Sequence, residues 1–359
     1  MRAVTLLAML ASGLLACRPN PAPRPAHRPV IDSHVHLTPS PDCIARALRI
    51  FAAAGIERFC VKSAGFAGSA RFQATRQLQR RLGRRLAMFV NIDWRGFGRP
   101  GWQERELARL ERAAAAGARG VKIFKNLGLG LRDADGRLVA VDDARLDPLM
   151  EKCAQLGLIV AIHTADPEAF FRAPGPANER YLELLFAPSW SFWGRDYPRR
   201  EELLAARNRL VARHPRTTFL GIHLANNPEH LDQVAAWLER YPNLYVDTSA
   251  RLPEIGRHPA DQVRRFFIKY QERILFGSDL VVSPAGLQLG SLSIFPQDDD
   301  DAREFYRAHW RYFESRQRGL DTPTPIQGDW KIDGIGLPAE VLEKLYRGNA
   351  LRLIWREGG

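Results

Sequence analysis

The chain has 359 residues, 45% hydrophobic and 26% charged, with 28 Gly and 24 Pro, which excludes disordered, collagen-like and coiled-coil architectures. Four Cys over this length exclude a disulfide scaffold. The net charge of +12 raises nucleic acid as a partner, but all except seven of the 52 basic residues are Arg scattered along the chain, and without a binding motif the reading is no nucleic acid.

The N-terminus reads as an address. After Met-Arg, an apolar run from Ala3 to Ala16 is broken only by Thr5, Ser12 and Gly13. It is shorter than the ~20 residues that span a bilayer and has the layout of a secretory signal over residues 1–16. Leu14-Leu15-Ala16-Cys17 resembles a bacterial lipoprotein site, making Cys17 a candidate lipidated residue; simple cleavage and release is the alternative. The Pro-rich stretch 17–29 then forms an extended tether, and residues 30–359 form the folded unit. The expected location is extracytoplasmic, periplasmic or membrane-anchored as a lipoprotein, with membrane contact only through that anchor. Cys43, Cys60 and Cys153 lack metal-knuckle spacing and read as buried small hydrophobes.

From residue 30, β-rich runs alternate with helical stretches. The expected strands are Val30–His36, Arg58–Ser63, Leu86–Ile92, Gly120–Phe124, Leu158–His163, Thr218–His223, Leu244–Thr248 and Ile274–Asp279. Between them the pattern predicts helices over Pro41–Ala54, Arg71–Leu82, Trp102–Ala116, Leu146–Leu156, Glu201–His214 and Pro228–Tyr241. Eight β/α units across about 250 residues predict an α/β fold, a (β/α)8 TIM barrel. An open doubly wound sheet is disfavoured, because no G-x-G-x-x-G follows a strand. Two connections, 164–217 after strand five and 280–337 after strand eight, exceed what a barrel requires. Both leave strand C-terminal ends, so they read as lids or substrate walls, or else as contacts to a second subunit. The Asp298–Asp301 run in the second reads as a solvated loop.

Strand one reads Ile31-Asp32-Ser33-His34-Val35-His36. Residues two apart face one side of a strand, so His34 and His36 point together into the barrel mouth, where neutral imidazoles suit a borderline divalent cation. Strand five closes on His163, strand six on His223 and strand eight on Asp279. A barrel brings all five ends to one place.

This set resembles the amidohydrolase superfamily, and within it the amidohydrolase-related branch of the aminocarboxymuconate-semialdehyde decarboxylase relatives. The resemblance covers roughly residues 30–356, including a closing RGNALRLIW similar to the branch's final helix. It implies a metal-dependent barrel but not the substrate, since the superfamily spans hydrolysis, deamination, decarboxylation and lactone opening. Strand four carries Lys122, with Lys125 just past it. Lys122 is similar to the carbamylated lysine that bridges two metals in binuclear members. On that reading His34, His36 and Asp279 hold one ion, His163 and His223 the other, and Asp279 moves the proton. In mononuclear decarboxylase-like members the ligands would be His34, His36, His163 and Asp279, with His223 as acid/base; Lys122 as a structural or substrate-binding cation is the plainer alternative. The implied cofactor is one or two divalent ions, Zn²⁺ first, with Mn²⁺ or Fe²⁺ as alternatives.

Lys62 at the end of strand two, Arg251 after strand seven and Arg180 in the fifth loop are candidate substrate-binding cations, Arg being suited to carboxylates; Asp93, Trp94, Asp247, Ser249 and Glu179 also stand near strand ends or in that loop. The leading expectation is a metal-dependent hydrolase acting on a C–N, ester or lactone bond of a small molecule through a metal-activated water. The alternatives are a non-oxidative decarboxylase of an aromatic or unsaturated acid, and a non-catalytic ligand-binding barrel. A homo-oligomer is a further expectation.

Overall fold

A computed structural model describes residues 28–357; the signal segment, Cys17 and most of the tether lie outside them. Among the described residues no helix is long and apolar enough to cross a membrane.

The eight expected strands are present. β1 (Val30–Leu37), β2 (Ile56–Val61), β3 (Leu86–Asn91), β4 (Gly120–Ile123), β5 (Ile159–Ile162), β6 (Phe219–Gly221), β7 (Leu244–Asp247) and β8 (Ile274–Leu275) pair in sequence, all parallel. The barrel closes where the chain beyond β8 returns to β1: Ser33 N–H donates to Phe276 O at 3.0 Å and Asp279 N–H to His34 O at 2.9 Å. β9 (Leu280–Ser283) then continues parallel to the outer end of β1, and β10 (Gly286–Leu289) folds back antiparallel on it. The structure thus shortens the expected strand Ile274–Asp279 to Ile274–Leu275 and starts a further strand just past Asp279. Gly277 allows the closure, since a Cβ there would stand 2.9 Å from the Cβ of His34, a separation that packed atoms do not tolerate.

Two apolar layers follow from strand alternation. Ile31, Cys60, Ala87, Phe89, Ile159, Ala161, Leu220, Ile222 and Leu275 fill the barrel interior, and Ala350, Ile354 and Trp355 of the final helix complete that cluster as a floor. The other faces pack against the surrounding helices. Pro41–Ala54 shows why those helices form where they do. Proline in its first turn costs no hydrogen bond, one face buries Ala47, Ile50, Phe51 and Ala54, and Gly55 stops it at φ 77°. Cys43, Cys60 and Cys153 are all buried free thiols.

The Asp298–Asp301 run is not a loop. It starts the helix Asp299–Glu314, where Asp298 accepts from the N–H groups of Asp300 and Asp301 and the Asp301 carboxylate accepts from Asp298 N–H. Carboxylates there satisfy unpaired amides and favour the positive end of the helix dipole. The helix turns Phe305, Tyr306, Trp310 and Phe313 inward. Its His309 is buried, with Nδ1–H on Phe305 O at 2.8 Å, and burial pushes its pKa from 6.5 to about 4. The unfolded chain takes up that proton as pH falls through 6.5, whereas the folded chain resists until about 4. Stability is therefore lost as pH falls across this window, by roughly 3 kcal/mol from this group. His309→Gln is expected to flatten the pH dependence of urea-unfolding free energy between pH 7 and 4; parallel curves for the two proteins would remove His309 from this account.

Candidate metal centre

The site is built where β1, β5, β6, β7 and the β8–β9 passage end. On β1, Asp32 pairs with Phe59 and Val35 with Val61, so Ser33 and His34 together stand opposite Cys60. Such a bulge re-aims side chains near active sites. His34 is fully buried and His36 partly so, with ring centroids 5.4 Å apart. Asp279 sits at φ 64°, and its Oδ1 lies 3.4 Å from His34 Nε2 and 3.3 Å from His36 Nε2.

His34 Nδ1–H donates to Asp247 Oδ2 at 2.9 Å, which fixes the tautomer and leaves the lone pair on Nε2. That atom is buried and has no hydrogen-bond partner. A buried lone pair without a donor, facing a second imidazole and a carboxylate oxygen, is the donor set a divalent cation takes. The spacings suit it, since a tetrahedral ion with ~2.1 Å arms has edges near 3.4 Å. Burial, followed by the charge of Lys122, pushes the His34 pKa well below 6.5, so the imidazole is neutral as a ligand must be. Against the upward push of burial, His34, His36 and Lys122 hold Asp279 down to about 2.

β6 ends at Gly221, two residues before the expected end of its strand. His223, Leu224, Ala225 and Asn226 follow with φ of 57°, 52°, 54° and 52°, a full left-handed turn of residues other than glycine, at roughly 1 kcal/mol each. Hydrogen bonds hold it: Asp247 Oδ1 accepts from His223 N–H at 2.8 Å, Arg207 donates to Ala225 O at 2.6 Å, and Arg200 donates to Asn226 O at 2.8 Å. His223 Nδ1–H donates to Ser249 O at 2.8 Å, which directs Nε2 away from that carbonyl. The His223 ring stacks on His34 at 5.2 Å and meets His163 edge-on at 4.6 Å. Burial lowers its pKa well below 6.5.

Two donor groups are tight enough to share an ion among the described residues: His34, His36 and Asp279, and His34, His223 and Asp247. Asp247 is the hub that orients both His34 and His223. His163 stands slightly apart, with Nε2 3.2 Å from Asp166 Oδ1, and Asp166 is paired in turn with Lys125. Burial lowers the His163 pKa to about 4. The role of Asp166 has no sequence signal beyond its place three residues past His163. Asp247 had one, the carboxylate closing β7, but not its partner.

A cavity of about 240 Å³ opens over the centre. His36, His163, His223, Asp279, Lys122 and Arg251 line it, beside Phe124, Phe170 and Trp190. Lys122 is 2% exposed, and burial pushes its pKa down to about 7. Arg251 is 5% exposed; one nitrogen donates to Ala250 O at 2.8 Å, and its Nε has no partner. The other two expected substrate cations are placed differently. Lys62 is fully buried in the barrel interior, its Nζ 3.5 Å from the Phe89 ring centroid, and is not part of the cavity wall. Arg180 lines the cavity but is committed to the carboxylates of Glu183 and Glu254. Asp93 is engaged away from the cavity by Arg95 and Arg109.

Structures with the same fold carry varied chemistry. A 2,6-dihydroxybenzoate decarboxylase from Rhizobium aligns over 92% of this chain and 100% of its own at 16% identity, TM-score 0.52. A 4-oxalomesaconate hydratase from Rhodopseudomonas palustris aligns over 91% and 96% at 14% identity, TM-score 0.52. A zinc-bound amidohydrolase from Burkholderia multivorans aligns over 91% and 99% at 16% identity, TM-score 0.50. No curated protein sequence matches significantly. The Amidohydrolase family model, however, matches residues 31–354, nearly the whole barrel and every residue of the centre. On that match the chain belongs to the amidohydrolase family.

Proposed function

We propose that the protein is a metal-dependent hydrolase of a C–N, ester or lactone bond in a small molecule. The placement of Asp279 Oδ1 3.4 Å from His34 Nε2 and 3.3 Å from His36 Nε2 carries this reading. His34, His36 and Asp279 would hold one divalent cation and His163 and His223 a second, and Lys122 would add a carboxylate ligand once its neutral amine takes up CO₂ and releases a proton. Zn²⁺ suits the imidazole-rich set, and Mn²⁺ or Fe²⁺ are alternatives. When bound, the cations supply a water acidified toward neutrality. The chain supplies the rest: ionised Asp279 accepts a proton and returns it to the leaving group, Arg251 offers its free Nε to an anionic substrate group, and Phe124, Phe170 and Trp190 exclude water.

Elemental analysis of protein purified without chelator is expected to give close to two ions per chain, and hydrolysis in H₂¹⁸O to label the product. The runner-up, favoured by Arg251, which has no carboxylate partner, beside neutral His223, is decarboxylation of a carboxylic acid with His223 as acid/base. CO₂ release without solvent oxygen in the product, and close to one ion per chain, would establish it instead. We also propose export, from the signal-like residues 1–16, with Cys17 as the lipid site. Mass spectrometry of the mature N-terminus reads this directly: an acylated Cys17 supports the anchor, and an unmodified N-terminus beyond it supports simple release.

A further inference from the structure

Three side chains lining the cavity over the centre keep a buried polar atom without a partner among the described residues: Arg180 Nε, Arg251 Nε and Gln327 Oε1. Of the three, Gln327 Oε1 alone is an acceptor. Two carboxylates of the same wall are already taken, Asp166 by His163 and Lys125, and Glu183 by Arg180 and Ser291. Nothing in the sequence marks Gln327, one amide in the long connection after β8.

Its place is nonetheless fixed from several sides. Thr324 Oγ1 donates to Leu289 O at 2.9 Å, and the turn Pro325–Gln327 closes with Gln327 N–H on Thr324 O at 2.9 Å. Gln327 Nε2 donates to Gly290 O at 3.1 Å. A carbonyl pairs with the amide nitrogen and not with its oxygen, so this bond sets which way the side chain faces and leaves Oε1 over. The residue is 1% exposed. Gly290 also packs toward Arg251: a Cβ there would stand 3.0 Å from Thr324 Oγ1 and 3.5 Å from Ala250 Cα. Arg251 itself is buried and has no carboxylate partner.

We propose that Gln327 is a specificity-determining residue that accepts a hydrogen bond from a substrate N–H while Arg251 holds a carboxylate, so that the substrate is a small secondary amide bearing an acid group. This rests on the hydrolase reading and narrows its bond to C–N. A buried acceptor without a donor is costly, and a ligand N–H satisfies it. The scissile link of an ester or lactone has no hydrogen to give and sets a second oxygen against Oε1. A neutral amide also accepts without repelling the anion that Arg251 attracts. The cavity of about 240 Å³ is below the ~300 Å³ at which drug-sized pockets begin, which limits the ligand to a small molecule. One water would split the C–N bond, its oxygen ending on the acyl carbon and both its protons on nitrogen, to leave a carboxylate and an ammonium.

N-acetylphenylglycine and O-acetylmandelate test this, being one acid with N–H in the first and O in the second. Stopped-flow quenching of tryptophan fluorescence reads their binding to the protein as purified, before turnover. The parent is expected to bind the amide about tenfold more tightly than the ester. Gln327→Met should erase that preference by weakening the amide alone, the unchanged ester serving as the check on folding. Equal affinities in the parent, equal loss of both probes in the variant, or no binding of either at millimolar concentration would overturn the proposal. The reaction is read separately. Solvent ¹⁸O in the product with no N–H preference keeps hydrolysis and removes Gln327, whereas the preference without solvent ¹⁸O keeps the Gln327 contact and removes hydrolysis.

Discussion

Asp279→Asn is expected to reduce kcat/KM by about 10³-fold or more while leaving the barrel folded. The carboxylate oxygen stands 3.3–3.4 Å from two imidazole nitrogens, and no neighbouring acid can replace it, since Asp247 is engaged by His34, His223 and Ser249. The backbone should tolerate the change. Residue 279 sits at φ 64°, a region that Asn enters as readily as Asp, and its N–H keeps its bond to His34 O. Ion content per chain should fall together with activity, with Tm within a few degrees of the parent. Undiminished turnover with full ion content would remove Asp279 from the centre.

Arg180→Met is expected to act mainly on stability. Arg180 is fully buried, and Glu183 and Glu254 are each 1% exposed. Methionine fills most of the volume but leaves two buried carboxylates without their cation, at about 3–5 kcal/mol. For a barrel of this size that lowers Tm by roughly 4–7 °C. Adding Glu183→Gln and Glu254→Gln should recover part of the loss, because neutral amides need no counter-ion. An unchanged Tm with a KM raised tenfold would instead show that Arg180 meets the substrate directly, the role its sequence position suggests.

Much of the centre was legible because its parts sit at strand ends, where a β-rich run closing on His or Asp leaves a local trace. His34, His36, His163, His223 and Asp279 are of this kind, and period-two alternation explains why His34 and His36 share a face. What remained illegible depends on partners distant in sequence. Nothing near Arg180 announces Glu254, seventy-four residues on, so an arginine in a long loop reads as a free cation. Lys62 shares its strand face with Cys60, and only the closed barrel shows that this face is interior. The left-handed turn at His223 contains no glycine to mark it, since its conformation is enforced by Asp247, Arg200 and Arg207. The acidic run at 298–301 resembles a solvated loop until the apolar spacing from Ala302 to Phe313 is weighed with it.

The way the barrel closes fixes an order of events for the growing chain. β1 forms first but finds its second neighbour only at Leu280–Ser283, and the interior it helps to enclose gains its floor only with Ala350, Ile354 and Trp355. Pairings so far apart in sequence carry a large loop-closure cost before any reward. Until those last residues are available, Ile31, Cys60 and Phe89 line a trough open to water. Completion of the fold therefore waits for residues 350–355, and the apolar strands made earliest are those that stay unsheltered longest.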